Sequence, residues 1–438
     1  MGNYLPSTRE EQKAMLERIG LKNLRDLYAD VPRKVLLKDS VDIPEGLSEL
    51  GVRTEMERVA SRNTVFGTIL RGAGAYDHYI PAIVSTVTAK EEFLTTYTPY
   101  QAEISQGVLQ SIFEYQTMAC ELTGMDVSNA SVYDGASAAA EAVMMTQTRS
   151  RERVFVASTA HPEVIETIRT YCWGRGVPFE LLPQKDGLTD LAVLKKLPED
   201  TACVYLQQPN FFGLLENAEE AASLAHAAGA KAVLGVYPIS LGILKTPGEM
   251  DFDVAVAEGQ SLGIPLSWGG PYLGIMTAKK DMMRSLPGRI AGETVDNKGR
   301  RAFVLTLQAR EQHIRREKAS SNVCTNQALC AMTAAVYMAA MGPQGLRDAA
   351  QLCYEGAHYF ADELGKLKGF KRVHKAEFFN EFLTRCPMDV RQFEKKMAKK
   401  GILCGLTVDD CLLWCVTEKM DRQAIDHVIS VIKEVCGQ

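Results

Sequence analysis

The sequence of 438 residues has no excess of positive charge, no closely paired cysteines and no long apolar run. Its 49 Lys and Arg residues are outnumbered by 54 Asp and Glu residues, so the formal net charge is −5. A protein that neutralises nucleic-acid phosphates normally carries a strongly basic face, so we expect no nucleic-acid partner. The most apolar stretch, residues 330–341, is far shorter than the ~20 residues that cross a bilayer, so no membrane span is predicted.

The eleven cysteines are scattered along the chain and contain no Cys-x-x-Cys pair. Cys404, Cys411 and Cys415 lie closest together, but the seven histidines supply no companion pair, which favours buried free thiols over a zinc site. This cysteine usage indicates a reducing compartment. Residues 1–6 contain no apolar signal core. We therefore expect a cytoplasmic protein without a metal.

The pattern of apolar residues changes along the chain. Ser7-x-x-Glu10 predicts a capping box at the start of a helix, and residues 1–62 are predicted to form an N-terminal helical arm. From Arg153 onward short apolar runs alternate with amphipathic helices, which indicates a parallel sheet covered by helices within residues 63–343. After Gly342-Pro343 a long helix is followed by alternating strands and helices, so residues 344–438 are predicted to form a small α+β domain.

Polar side chains concentrate in residues 95–107, directly before an amphipathic helix. A polar loop held by a rigid helix suits a binding site, although the same groups could simply cap the helix and complete the turn. The glycine-rich residues 259–271 follow the alternating strands and helices, and loops at strand ends are where α/β sheets bind ligands.

Two further segments have an ordinary structural interpretation beside a functional one. Small residues after Asp134 would admit an anion at a helix start, but the Asp134 carboxylate would occupy the first backbone donors, so a plain capped helix is favoured. The basic residues 310–318 are interleaved with glutamates, which favours a solvated helix face over a site for an acidic partner.

Several segments resemble the glycine cleavage system P-protein family. They are FLTTYTPYQ (93–101) with Glu103 and SQG (105–107), FEYQTM (113–118), YDGA (133–136), QPNF (208–211), GQSLG (259–263), LPGR (286–289) and LTLQAREQ (305–312). They extend in order over most of the chain, whose length matches the family's N-terminal half, a separate polypeptide in many bacteria. The resemblance implies the α/β type I fold of pyridoxal phosphate (PLP) enzymes, with a large domain on a mainly parallel sheet and a small C-terminal domain.

The resemblance also implies that the PLP site of this chain is degenerate. In the family's other half, a lysine shortly before an Ile-Pro pair forms the Schiff base with PLP. Matching that pair to Ile264-Pro265 places Gln260 at the lysine position, where an amide cannot form an imine. Tyr237 stands where an Asp normally pairs with the pyridinium nitrogen. With Asp134 at the helix start, no cofactor is expected on this chain.

The reaction that the resemblance implies belongs to a complex, the glycine dehydrogenase (aminomethyl-transferring) of glycine catabolism. Glycine would lose its carboxylate on PLP held by subunit 2 (beta), and its aminomethyl group would pass to the lipoyl arm of the H-protein. A heterotetramer with two copies of each subunit is expected. This chain would supply no catalytic residue by itself but one wall of a shared active site, for which the candidates are Tyr97, Thr98, Tyr100, Gln101, Glu103, Ser105 and Gln106. Tyr76 and His78 are candidates for lining the lipoyl channel.

Two alternatives stay open at this point. The chain could be a free-standing PLP enzyme that uses another lysine, such as Lys245 or Lys279, although a surface pair is expected at Lys279 and Lys280. It could also be a scaffold that stabilises the partner subunit without taking part in catalysis.

Overall fold

The computed structural model describes residues 7–37, 41–94, 96, 98–319 and 321–438, which divide into two compact units between Val65 and Phe66. The helices described in the first unit are α1 (Arg9–Arg18) and α2 (Glu49–Ala60). A capping box does start α1, but it is formed by Thr8 and Glu11, whose side chains each accept the other's backbone N–H. The predicted box at Ser7 and Glu10 is therefore wrong by one residue, because Thr8 and Glu11 carry the same pair of functional groups.

The second unit contains the remaining helices and all strands of the described residues. Its helices are α3 (Ala82–Thr88), α4 (Glu91–Leu94), α5 (Gln106–Thr123), α6 (Gly135–Met145), α7 (Pro162–Arg175), α8 (Ala218–Ala227), α9 (Gln312–Arg315), α10 (Ala328–Gly365), α11 (Val390–Lys399) and α12 (Arg422–Cys436). Its strands are β1 (Thr68–Ile69), β2 (Val127–Ser128), β3 (Arg153–Ala157), β4 (Phe179–Leu182), β5 (Gln184–Lys185), β6 (Leu188–Thr189), β7 (Thr201–Gln208), β8 (Lys231–Val236), β9 (Val254–Glu258), β10 (Gly274–Ala278), β11 (Ala291–Val295), β12 (Arg301–Leu305), β13 (Lys371–Arg372), β14 (Glu381–Arg385), β15 (Ile402–Leu403), β16 (Leu406–Val408) and β17 (Cys411–Cys415).

A seven-stranded sheet with the order β2-β10-β9-β8-β7-β3-β4 forms the centre of the second unit. Strands β4, β3, β7, β8 and β9 are parallel, and β10 runs antiparallel to both of its neighbours. Apolar runs such as Ala232–Val236 are buried on both faces, as expected for a sheet covered by helices. The α/β prediction is confirmed, and the carboxyl ends of β7, β8 and β9 share one edge of this sheet.

The C-terminal residues form a four-stranded antiparallel sheet, β13-β14-β17-β16, that packs with α11 and α12. Helix α10 leads into this region and has a sharp kink at Gly342, where φ is 62° and ψ is 177°. Pro343 follows directly, and a proline suits the first turn of a new helical segment but not a helix interior. The change in sequence pattern at Gly342-Pro343 therefore corresponds to a kink within α10. The division into domains at residues 62, 343 and 438 stays a prediction.

None of the helices described here is both long enough and apolar enough to cross a membrane.

Candidate functional site

A cavity of about 580 Å³ lies at the carboxyl ends of the central strands. Strands β7, β8 and β9 contribute Gln207, Val236 and Glu258, and the start of α6 contributes Gly135. Residues 73–76 and Glu381 line it as well, so segments far apart in the sequence meet there. In open α/β sheets this edge is the usual place for a ligand, so the cavity is the candidate functional site.

Carboxylates occupy the backbone donors at the start of α6. Asp134 Oδ1 accepts the Ser137 N–H at 2.7 Å, and Glu258 Oε2 accepts the Gly135 N–H at 2.9 Å. The other oxygen of Glu258 accepts two more backbone N–H groups, at 3.0 and 3.1 Å. Burial nevertheless raises the pKa of Glu258 to about 7, and the Asp134 charge adds to that effect. The predicted capped helix is present, and an anion here would meet two occupied backbone donors and the unfavourable field of two carboxylates.

The side chain of Gln260 is buried behind the cavity with every hydrogen-bonding atom engaged. Its Oε1 accepts the Tyr76 N–H at 2.8 Å, and its Nε2 donates to the carbonyl oxygens of Tyr76 and Ile264 at 3.0 and 2.7 Å. Gln260 therefore anchors the segment that carries Tyr76. A lysine at this position would retain donors only, so it could not accept the Tyr76 N–H.

The Tyr237 side chain is held in a buried network of contacts and does not supply the carboxylate expected at its position. Its ring stacks on Tyr76 at a centroid distance of 4.2 Å, and its hydroxyl contacts His78 Nε2. His78 Nδ1 lies 2.6 Å from Glu418 Oε2. Burial holds the pKa of Tyr237 well above its ordinary value, so the phenol stays neutral. A neutral phenol cannot replace the carboxylate that normally pairs with a pyridinium nitrogen.

His78, Glu418 and Cys353 form the one cluster in the described residues whose donor atoms could jointly hold a metal, all within 4.8 Å of one another. The Cys353 thiol lies 3.4 Å from Glu418 Oε2, and the second Glu418 oxygen accepts the Tyr79 N–H at 2.7 Å. Although burial works to raise it, the His78 contacts hold the pKa of Glu418 below its ordinary value. Hydrogen bonds with Glu418 are sufficient to explain why the three side chains lie together.

Glu381 is the most buried carboxylate that lines the cavity, with 4% of its surface exposed. Its Oε1 accepts the Ala73 N–H at 2.7 Å, and its Oε2 accepts the Tyr76 hydroxyl at 2.8 Å. Burial outweighs these bonds and raises the pKa of Glu381 to about 7. Neighbouring Gly213 has φ +80°, and a Cβ there would lie 2.0 Å from the Glu381 carbonyl oxygen, so only glycine fits beside this strand.

We expect this carboxylate to make the protein less stable as the pH rises. Between its ordinary pKa of 4.5 and about 7, the unfolded chain has lost the Glu381 proton while the folded chain keeps it. The folded state then binds more protons, so the free energy of unfolding falls with rising pH, by roughly 3 kcal/mol over the whole window. Urea denaturation of the wild type and Glu381→Gln at pH 5 and pH 8 measures this. The variant should lose the part of the fall due to Glu381, while the part due to Glu258, whose pKa is also raised to about 7, remains.

The matched control for this pH experiment is Glu121→Gln. It removes an exposed carboxylate and should keep the wild-type fall. An equal fall in Glu381→Gln and the wild type would contradict the assignment. Glu258 is less useful for the same measurement because its side chain is partly exposed.

The structure separates the predicted active-site wall from this cavity. Tyr97 lies outside the described residues, and none of the other six candidates lines the cavity. Thr98, Gln101 and Glu103 are exposed, whereas Ser105 is buried. The Gln106 amide exchanges hydrogen bonds with both backbone groups of Phe303 and donates to the Ala102 carbonyl oxygen. Gln106 therefore ties the loop to β12.

The two candidates for the lipoyl channel are placed differently. Tyr76 lines the cavity, with its hydroxyl on Glu381. His78 is 6% exposed and lies behind Tyr237, with both ring nitrogens in contact with neighbouring side chains. Access to the His78 ring is therefore blocked in this conformation.

Sequence reasoning missed a charged cluster beneath the predicted wall. The Arg289 guanidinium lies 4.8 Å from the centre of the Tyr100 ring and pairs with Glu311 Oε2 at 2.5 Å. The Tyr100 hydroxyl donates to Asn326 Oδ1 at 2.5 Å. Arg310 is also drawn inward, donating to the Gly288 carbonyl oxygen at 2.7 Å. The expected solvated face therefore holds for residues 312–318 but is wrong for residues 310 and 311. Their family segments, LPGR and LTLQAREQ, were the available signal.

Residues 259–263 also fit the Gly-x-Ser-x-Gly pattern of a hydrolase nucleophile. The Ser261 hydroxyl is buried and has no hydrogen-bond partner in the part of the chain that the structure describes. A serine nucleophile needs an adjacent base, so this serine is not activated.

The fold and the placement of the cavity define a class of protein. The sphingosine-1-phosphate lyase of Burkholderia pseudomallei K96243 superposes with a TM-score of 0.66, covering 93% of this chain and 94% of its own. At 14% identity this likeness shows the fold alone, which is the type I fold of PLP-dependent enzymes. The predicted fold class is confirmed.

Closer relatives identify the family. The sequence profile of the family described as "Glycine cleavage system P-protein" matches residues 2–432. The probable glycine dehydrogenase (decarboxylating) subunit 1 of Desulfitobacterium hafniense (strain DSM 10664 / DCB-2) is 45% identical, covering 99% of this chain and 100% of the relative. A crystal structure of glycine decarboxylase (P-protein) of the glycine cleavage system, in inhibitor-bound form, superposes with a TM-score of 0.94 at 42% identity, over 99% of this chain and 100% of that one. The chain belongs to the glycine cleavage system P-protein family.

Proposed function

We propose that this chain is the subunit of a glycine decarboxylase that does not hold PLP, and that a PLP-bearing partner subunit completes the enzyme. Membership of the P-protein family supports the glycine decarboxylase role. The observation that carries the division of labour is Gln260, whose amide stands at the implied lysine position and is held by three hydrogen bonds.

The residues around the cavity do not fit PLP. A phosphate would meet Asp134 and Glu258 at the start of α6, where both carboxylates already occupy backbone donors. The pyridinium nitrogen would meet the neutral phenol of Tyr237, and no amine is available at Gln260. We therefore assign no step of the reaction to PLP on this chain.

The two lysines considered for a free-standing enzyme are engaged elsewhere. Lys245 Nζ lies 2.8 Å from Glu219 Oε2, and Lys279 Nζ lies 2.5 Å from Asp251 Oδ1. Neither lysine lines the cavity. A lysine amine that is paired with a carboxylate away from the cavity is poorly placed to form an imine there, which argues against this alternative.

In the proposed complex, this chain binds and orients rather than breaks bonds. The loop of Thr98, Gln101 and Glu103 presents exposed polar groups on a rigid support, with Ser105 at the start of α5 and Gln106 fixed to β12. Tyr100 is held from below by Arg289 and Asn326. Such preorganised groups would position glycine and exclude water at the partner's PLP. Tyr97 belongs to the same proposed wall.

The remaining partners are part of the proposal. The lipoyl arm of the H-protein would accept the aminomethyl group, and its disulfide would be reduced as it does so. Tyr76 is the proposed channel residue, with His78 supporting the channel wall from behind Tyr237, and two copies of each subunit are expected. All eleven cysteines are free thiols, which supports a reducing, cytoplasmic setting.

Reconstitution with the partner subunit tests the proposal. We expect the purified chain, mixed with PLP and reduced with borohydride, to yield no pyridoxyl-lysine on peptide mapping. Exchange of labelled bicarbonate into glycine should stay at background for this chain and appear only when the partner subunit is added. A control with the partner alone separates a requirement for both subunits from activity of the partner by itself. Full exchange by this chain alone would refute the proposal.

A further inference from the structure

The wall of the cavity carries carboxylates without a compensating cation. Asp134, Glu163, Glu258 and Glu381 line it, whereas no lysine or arginine does so among the described residues. His161 supplies no charge, because one ring nitrogen accepts a backbone N–H and the other donates to a backbone carbonyl oxygen. Low-dielectric walls that carry one sign of charge concentrate the field, so the interior favours a positive occupant.

Tyrosine rings form much of the remaining wall. The lining includes Tyr76, Tyr133, Tyr205, Tyr237 and Tyr272. Tyr76 and Tyr237 are stacked and both bound through their hydroxyls, so their rings are held in place. The face of an aromatic ring attracts a cation, and rings that are already fixed lose little entropy when a ligand binds.

The Tyr205 hydroxyl is a separate indication of a ligand. Tyr205 is 2% exposed, lines the cavity, and has no hydrogen-bond partner among the residues described. A Cβ on Gly235 of the neighbouring strand would lie 2.2 Å from this hydroxyl, so the missing side chain there makes room for it. The Tyr205 oxygen is not one of the partnerless side-chain atoms that are sealed from solvent, so it opens onto the cavity, where the N–H group of a ligand would donate to it.

We propose that this cavity binds a small organic cation that carries no anionic group, such as a protonated amine on an apolar or aromatic body. Its volume of about 580 Å³ lies in the range of small-molecule sites. An anion or an amino acid is disfavoured, because Asp134 and Glu258 occupy two helix-start donors and no lysine or arginine lines the cavity to pair with a carboxylate. The inference goes beyond the glycine decarboxylase role and does not depend on it.

Calorimetric titration with three probes of similar size tests the proposal. Benzylammonium, benzyl alcohol and benzoate differ chiefly in charge, and pH 8 keeps Glu258 and Glu381 ionised above their pKa values of about 7. We expect benzylammonium to bind at one site per chain, at least about tenfold more tightly than either other probe. The titration is made on the purified full chain and repeated on the complex with its partner, while bicarbonate exchange reports separately on the proposed function.

Three variants locate the binding site. Glu381→Gln should weaken benzylammonium binding at least about tenfold, because it removes the buried charge but keeps the side-chain size. Tyr205→Phe should weaken it several-fold without loss of stability, because that hydroxyl has no partner in the described protein. Glu121→Gln changes the net charge equally on an exposed helix position and should leave the affinity unchanged. Circular dichroism confirms that each variant is folded.

Specific results would overturn the proposal. One is tighter binding of benzoate or PLP than of benzylammonium. Another is an equal affinity for benzylammonium in Glu381→Gln and Glu121→Gln. A third is the absence of saturable benzylammonium binding up to about 10 mM, roughly the weakest affinity expected for a ligand of this size. If Glu381→Gln does not fold, Tyr205→Phe still decides, and an unchanged affinity in that variant would count against the site.

Discussion

Replacing Glu103 by glutamine is expected to lower the turnover of the reconstituted complex about a hundredfold, the size of effect seen when one polar group that stabilises the transition state is lost. The stability of the chain should stay within about 0.5 kcal/mol, because Glu103 is exposed and has no hydrogen-bond partner among the described residues. The measurements are glycine-dependent exchange in the complex and urea denaturation of the chain. Lost turnover in an intact assembly is the signature of a shared active site.

The control for this prediction removes a glutamate carboxylate near the far end of α5, the helix that follows the Glu103 loop. Glu121 is exposed near the end of α5, about 25 Å along the helix from the loop, and Glu121→Gln should leave turnover unchanged. Gln106→Ala is a second comparison, since it loses three hydrogen bonds and should destabilise the chain by about 1–3 kcal/mol. Unchanged turnover in Glu103→Gln, with assembly intact, would support the scaffold hypothesis instead.

The largest loss of stability is expected for Trp414→Ala, about 3–5 kcal/mol. Trp414 is fully buried on β17, its ring makes an edge contact with Phe360 at 5.3 Å, and its indole N–H donates to Thr384 Oγ1 at 2.9 Å. Alanine would leave a cavity and an unsatisfied partner. Urea denaturation followed by circular dichroism measures the change without depending on the fluorescence of the deleted residue.

The same substitution at an exposed position provides the control. Trp173 is 82% exposed on α7, so Trp173→Ala should change the free energy of unfolding by less than about 0.5 kcal/mol. Trp414→Phe should lie between the two, because it keeps most of the buried ring but loses the hydrogen bond to Thr384. A similar loss in both alanine variants would show that burial at Trp414 is not what stabilises this region.

Much of the fold could be predicted from local patterns. The apolar runs at Val154, Val204 and Ala232 are the parallel strands β3, β7 and β8, and helices α7 and α8 follow the first two of them. Such patterns are local because a strand buried on both faces needs an apolar run whatever it pairs with. The sheet order β2-β10-β9-β8-β7-β3-β4 could not be read in the same way, since pairing joins residues far apart in the chain.

The candidate site shows the same division. Once the family resemblance had matched the positions, the sequence alone showed that Gln260 replaces the PLP-binding lysine and that Tyr237 replaces the aspartate. The environment of these residues was not visible, because Tyr76 meets Glu381 across 305 positions and His78 meets Glu418 across 340. The buried pair of Arg289 and Glu311 was missed for a related reason, since a run of alternating charges has the composition of a solvated surface until packing encloses it.

The amino-acid sequence alone determined the alternating layers, the family resemblance and the absence of an imine-forming amine at Gln260, because these depend on residue identity and short-range periodicity. Only the tertiary structure decided that Glu258, Glu381 and the tyrosine rings enclose one acidic cavity, and that the polar loop around Glu103 lies outside it. The physical reason is burial: a carboxylate changes its pKa and its preferred partner only when distant segments remove water from around it.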